Sequence, residues 1–527
     1  MKNIFTNKQF LGILFAIIAF ALITLVYFTP ILEGKRIKQH DIEMYKGMSQ
    51  EINEFREETG EQSLWTNSMF GGMPTTATID SFEGDWTDAI YDFLLTGRRP
   101  ASYLLLALIG GFLLMLSVGT SKVVAVAGAI AIAFCSYNMQ IIQVGHNTKM
   151  QAIAYFPWVL AGVIFTYRAA LAALSDEKAS WKSWLPKTIL GATLFAFALS
   201  MQIKANHLQI TYYLAIVIFA YAIGQFIYIC LDKARRSALL KRFFAASALL
   251  LVIGIVGIAT NANKLIPTYE YTPYTMRGGS ELSADSDSHN DKGLDLDYAT
   301  AWSYGISEMP NLLIPNFNGG ASSGELPMDS ETGKLLKRAG QPNLRQTLKH
   351  MPLYWGPQPF TAGPMYMGAI TIFLFVLGLA LCNGREKWWL VGATVIAVFL
   401  AWGNHFMWFT KLWFEYAPMY NKFRTVSMAL IVLQVTLPLL GFYVLDRIMK
   451  ETYEKKTLMK GLYIAFGITA GFCALSVLIP GIAGTFVSAS DAGMNEMIVE
   501  TLAADRASLL VKDAFRSLLL ITCVFLL

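Results

Sequence analysis

The sequence predicts an all-α polytopic membrane protein, and three observations predict it: an apolar composition, apolar runs of bilayer length along the whole chain, and basic residues that alternate from loop to loop. Of the 527 residues, 54% are hydrophobic and only 15% are charged, against about 25% charged in soluble domains. Apolar runs of about 17–22 residues recur, and a run of that length crosses the hydrocarbon core as a helix. They fall near residues 10–29, 101–118, 123–141, 151–168, 188–203, 209–231, 243–262, 365–383, 388–403, 426–446 and 461–480. A last one starts near 515, which makes about 11–12 transmembrane helices.

Composition also excludes. A net charge of +5 gives no case for nucleic acid. No P-loop and no GxGxxG ahead of a helix occurs, so coupling to ATP is not supported. Cys135, Cys230, Cys382, Cys473 and Cys523 lie in or at the ends of apolar runs without CxxC spacing. They read as small buried hydrophobes, not as disulfides or metal ligands. No clear internal repeat is visible, which weakens an inverted-repeat transporter.

In chain order, residues 1–29 hold the first span. Its apolar run is long for a signal peptide and no small-x-small cleavage site follows, so it reads as a retained signal anchor. Placing the N-terminus in the cytoplasm puts Lys122, the basic run Lys233 to Arg242, and Arg447 to Lys460 in inner loops, as the positive-inside rule requires. Residues 30–100 and 264–363 then form two large outer segments, separated by helices two to seven in 101–263 and followed by helices eight to twelve in 364–527. The run from Phe515 to Leu527 is too short to cross, so the chain reads as cut within a helix. Within 30–100, residues 81–95 place Phe82, Trp86, Ile90 and Phe93 at helical steps, with Glu83, Asp88 and Asp92 on another face. That is an amphipathic helix suited to the membrane interface.

Four groups carry candidate chemistry. Asp41 follows the first span by a dozen residues, with His40 and Glu43 beside it. A carboxylate there can act as general base toward a hydroxyl or join Glu43 around a divalent cation; a solvated loop acid has the same sequence. Gly145-His146-Asn147-Thr148-Lys149 follows a polar helix end with Ser136, Tyr137, Asn138, Gln140 and Gln143. Polar side chains at membrane depth need a cavity or partners, and Lys149 can hold an anion as a point charge. Lys204-Ala205-Asn206-His207 forms a second short turn of the same composition. Tyr420-Asn421-Lys422-Phe423-Arg424 leads into the tenth span, where Arg424 can fork onto a phosphate or serve as an interface anchor. In 264–363, the acidic run Asp285 to Asp297 fails the EF-hand template, because Asn290 stands where Gly is needed and Leu296 where Glu is needed. Trp302, Tyr304, Pro310, Pro315 and Gly319-Gly320 read as a folded aromatic lid that suits sugar, lipid or plain packing.

The stretches Lys35 to Asp41, Leu64 to Pro74, Gly145 to Lys149, Asn206 to Gln209, Met276-Arg277-Gly278-Gly279 and Asn421 to Arg424 together resemble the bacterial membrane protein YfhO family, in its Bacteroidota-type form. That family looks like the GT-C glycosyltransferases. The resemblance implies a GT-C-like bundle with two large extracytoplasmic loops. It also implies an inverting enzyme that moves a sugar from a polyprenyl-phosphate donor to a cell-envelope glycan or lipid acceptor, on the outer face of the cytoplasmic membrane. It maps Asp41 onto the catalytic acid. Glu43, His40, His146, His207 and Asn206 take supporting places, while Lys149, Lys204, Lys422 and Arg424 are assigned to the donor phosphate from their positions at the outer mouths. The single Asp departs from the paired acids of metal-dependent relatives, so no cofactor is assigned and a divalent cation is in doubt. Two rivals stay open: a lipid or polymer transporter or flippase, and a non-catalytic envelope assembly factor.

Overall fold

The computed structural model describes residues 7–78, 82, 84–95, 99–172, 181–279 and 293–527. The chain divides into two compact units. One comprises Met1–Ala129, Ile141–Tyr298 and Trp413–Phe423; the other comprises Ile130–Gln140, Ala299–Leu412 and Arg424–Leu527. Among the described residues the sheet content is one antiparallel hairpin, Trp65–Thr66 with Met73–Pro74.

Among the described residues, 8 helices are long and apolar enough to cross a membrane, or 9 if the pair Lys122–Ala133 and Ser136–Val144, bent by 45°, is one span. Two shorter apolar helices, Ala101–Ser117 and Ala369–Leu381, stand where the second and eighth spans are expected. The chain is therefore an all-α polytopic membrane protein by length and composition of its helices. The expected last span is different: Glu496–Leu526 is one helix of 31 residues. Asp505, Arg506, Lys512, Asp513 and Arg516 fill its middle, so hydropathy marks only its final turns.

In the first unit the helix Asn147–Ala172 is central, with 89% of its apolar window buried. Ala101–Ser117, Trp181–Lys204, Leu208–Leu231 and Arg236–Ala259 pack around it. Small residues permit this: a Cβ on Gly162 would lie 2.6 Å from the backbone nitrogen of Phe195, so the two helix backbones touch. The outer helices are the reverse. Only 17% of the Phe10–Tyr27 window is buried, and Phe15, Leu22 and Val26 are exposed. An apolar surface of that extent is a liability in water and costs nothing in lipid.

The second unit is built on Val426–Met449, again with 89% of its window buried. Ala369–Leu381 and Arg385–Trp402 flank it, and Lys455–Leu478 pairs with Glu496–Leu526. Residues of the expected second outer segment fold here. Leu326, Leu336, Leu348, Met351 and Leu353 form a core with Leu502. The Asp505 carboxylate accepts the Glu331 and Thr332 N–H groups at 2.8 and 2.9 Å, which starts the helix Glu331–Arg338.

Two local expectations shift. Asp41 is not in a loop but in the first turn of the helix His40–Thr59, where a negative charge meets the positive end of the helix dipole. The expected helix over 81–95 is Thr87–Leu94, while Ser81 and Glu83 lie outside the described residues. So does the acidic run from Asp285 to Asp291.

Candidate functional site

The site in the first unit is built where the His40–Thr59 helix begins against the Gly145 turn. Gln39 precedes that helix and is buried. Its Nε2 donates to the Ile142 carbonyl at 2.5 Å and to Asn147 Oδ1 at 3.2 Å, and its Oε1 accepts from Asn147 Nδ2 at 3.3 Å. These bonds fix the first turn of the His40–Thr59 helix on the corner that precedes Asn147–Ala172. Gly145 sits at that corner with φ +100°, and a Cβ there would lie 3.0 Å from Gln39 Cβ and 3.3 Å from Asp41 Cβ. Both the backbone angle and the approach of Asp41 call for glycine.

Asp41 and His146 meet as a result. Asp41 Oδ2 lies 3.0 Å from His146 Nε2, and Lys149 Nζ lies 3.2 Å from His146 Nδ1. A lysine ammonium only donates, so Nδ1 accepts and Nε2 carries the ring proton, donated to Asp41. The line runs from ammonium through neutral imidazole to carboxylate. Both Asp41 and His146 keep about two fifths of their side chains exposed, 43% and 39%, so a carboxylate oxygen is open to a reactant.

His207 is the cap residue of Leu208–Leu231. Burial, then the positive charges of Lys149 and Arg277, push its imidazole down to about 3. Its Nδ1 is buried without a hydrogen-bond partner, so it is a neutral ring. Arg277 brings Lys422 with it: Arg277 Nε donates to the Lys422 carbonyl at 3.0 Å, and Lys422 Nζ donates to the Arg277 carbonyl at 2.6 Å. Arg277 was not singled out from sequence as a site residue, although the Met276-Arg277-Gly278-Gly279 stretch was noted. A cation beside two glycines was the signal that could have found it.

The other expected residues are placed as follows. Asn206 makes the tight turn with φ 58°. His40 is exposed, and Glu43 pairs with Lys46 at 3.0 Å on the solvent side of the helix. Among the described residues no group of three or more His, Cys, Asp or Glu side chains is arranged to hold a metal. Arg424 is exposed and belongs to the second unit. The helix does not start at it as expected: Thr425 takes φ 60°, and a 3-10 turn over Val426–Leu430 precedes Ile431–Met449.

Lys204 has a different job from the one its position suggests. Its ammonium lies 2.8 Å from Asp85 and 2.6 Å from Asp88, with 8% of its side chain exposed, and donates to Thr87 at 2.9 Å. Burial raises the Asp85 carboxyl, but hydrogen bonds from Lys204 and Thr87 outweigh it and hold it at about 2. Tyr91 hydrogen-bonds Gln151 from the same short helix. Lys204 thus fastens Thr87–Leu94 to the membrane helices, with two carboxylates already on it.

His207 makes a pH prediction. Its folded value lies below the unfolded 6.5, so its contribution to stability is complete above 6.5 and is lost as pH falls toward 3. At pH 5 the loss is about 2 kcal/mol. The stability from the Asp85 pair is complete above 3.8 and is lost only as pH falls from there toward 2, outside this window. Thermal melts of wild type and His207→Gln between pH 7 and pH 5 are expected to converge as the wild type weakens; parallel curves would show that His207 does not titrate in that window.

No protein-family model, curated protein or solved structure matches the chain.

Proposed function

We propose that the chain is an inverting membrane glycosyltransferase of the GT-C kind, taking a sugar from a polyprenyl-phosphate donor at the outer face of the cytoplasmic membrane and passing it to a cell-envelope acceptor. The observation that carries the reading is the Asp41–His146–Lys149 line, a half-exposed carboxylate oriented by a protonated Nε2 whose ring carries the Lys149 ammonium on its other nitrogen. Asp41 takes the proton of an acceptor hydroxyl. The acceptor oxygen forms its bond to the anomeric carbon from the face opposite the phosphate, and the bond to the phosphate oxygen breaks with its electron pair. The phosphate leaves as an anion, and positive charge arranged beforehand lowers the barrier to that charge build-up. Lys149, Arg277 and Lys422 supply it in this reading. Lys204 does not, because Asp85 and Asp88 occupy it.

The test is transfer from labelled polyprenyl-phosphate sugars by the purified chain in vesicles. Arg277→Ala and Lys422→Ala are expected to raise the donor KM by about tenfold each, the loss of one charge-assisted contact to phosphate. Movement of the lipid across the vesicle without transfer from any donor would replace this reading with the flippase.

A further inference from the structure

The second unit contains a cavity of about 60 Å³ that the Asp41 site does not use. Its floor is buried: Tyr304, Glu308, Asn311, Asn318 and Tyr354 are each at most 6% exposed. Its rim is half-buried and includes Tyr137, Gln140, Gln358 and Thr361. Of the polar end of the third span, Tyr137 and Gln140 face this cavity.

Glu308 is the centre of the floor. Its carboxylate accepts the Gly305 N–H at 2.7 Å, the Tyr354 hydroxyl at 2.7 Å and the Gln358 amide at 3.1 and 3.2 Å. Burial raises its carboxyl and those donors oppose the rise. Asn311 and Asn318 pair with each other, Nδ2 to Oδ1 at 3.2 Å, with the Asn318 N–H on Asn311 Oδ1 at 3.0 Å. Gln140 Nε2 donates to the Pro364 carbonyl at 2.7 Å. Asn311 uses both ends of its amide in the wall, but Asn318, Gln358 and Gln140 each use one, and a primary amide has donors and acceptors left over.

That composition selects a ligand class. An anion would meet the Glu308 carboxylate. A cation is not required, because three donor groups already satisfy it. A hydroxyl both donates and accepts, and a wall of amides and phenols around a satisfied carboxylate matches a set of hydroxyls. The volume is about that of two waters, enough for a hydroxymethyl arm or two neighbouring hydroxyls with the ring itself at the mouth. We infer that this cavity binds the hydroxylated edge of a neutral sugar residue, with Gln358 and Asn318 as its polar contacts. The cavity shares no residue with the Asp41 site, and a binding measurement separates the two readings.

The experiment uses the full chain in a detergent without a sugar headgroup. Methyl glucoside, methyl mannoside and methyl N-acetylglucosaminide are titrated by calorimetry, with sodium chloride and ammonium chloride as cation controls. At least one glycoside is expected to bind the wild type. Gln358→Ala should weaken it about tenfold through loss of a hydrogen bond to a polar ligand. Ser427→Leu, which fills the cavity from its wall, should abolish it while the chain still melts cooperatively. Binding of no glycoside to the wild type, equal binding by both variants, or binding of sodium or ammonium in place of the glycosides would each overturn the proposal.

Discussion

Asp41→Asn is expected to lower the rate of sugar transfer by about 10²- to 10⁴-fold, the usual contribution of a positioned general base. Asparagine keeps the shape of the side chain and an oxygen for the His146 Nε2 proton, but it cannot accept a proton from the acceptor. The substitution removes a negative charge from the first turn of the His40–Thr59 helix, worth about 0.3–1 kcal/mol, so the chain should still fold. The donor phosphate is held elsewhere in this reading, so the loss should fall in kcat with the donor KM nearly unchanged. That split separates a base from a structural acid, whose removal would displace the Gly145 corner and raise KM as well. Full-rate transfer by the Asp41→Asn variant would remove Asp41 from the chemistry. His146→Gln offers a graded companion: it keeps an N–H donor toward Asp41, so it should cost less than Asp41→Asn.

How much of this was readable beforehand depends on the range of the interaction that decides each feature. The spans are written in runs of apolar residues, a local signal, and each run from Phe10 to Leu478 is helical, although Ala101–Ser117 and Ala369–Leu381 are shorter than a span and the 123–141 run is a bent pair. The helix Glu496–Leu526 is half hidden because Asp505, Arg506 and Asp513 interrupt its hydropathy, and each has a partner more than 150 residues away, in Glu331, Pro352 and Asn316. Asp41 and His146 could be named from their surroundings. Their contact could not, since it depends on Gln39 bonding to Asn147 across 108 residues and on the space left at Gly145. Lys204 shows the opposite case. It has the same Lys/Asn/His context as Lys149, and only the fold reveals that Asp85 and Asp88 take its charge. Glu308 carried no local signal at all, although the aromatic, Gly- and Pro-rich segment around it marked a folded wall.

Arg506→Met is expected to destabilise the second unit by about 3–5 kcal/mol, the cost of removing one partner from a buried ion pair. Arg506 is fully buried and forks onto Asp491, Nη1 to Oδ2 at 2.7 Å and Nη2 to Oδ1 at 2.9 Å. The same two nitrogens donate to the Phe486 and Pro352 carbonyls at 2.8 and 2.5 Å. One side chain thus ties two segments, the connection holding Phe486 and Asp491 and the stretch at Pro352, to the Glu496–Leu526 helix. Methionine fills much of the volume but leaves the Asp491 carboxylate and two carbonyls without these donors. The pair is not ideal in every respect, since Arg506 Nε has no acceptor, and the expected loss already reflects a pair whose desolvation is incompletely repaid. The double variant Arg506→Met with Asp491→Leu should recover part of the loss, because no uncompensated charge stays buried. Acid should reproduce the single variant. Burial raises the Asp491 carboxyl, but Arg506 and the Ser488 N–H pull it below 3.8, so the stability it gives is present above 3.8 and disappears as pH falls through the lower folded value. Hydrogen exchange reads the result locally: protection over Glu496–Leu510 should fall in Arg506→Met and return in the double variant. Unchanged protection in the single variant would mean that the apolar core of Leu326, Leu336, Leu348 and Leu502 holds these loops without the ion pair.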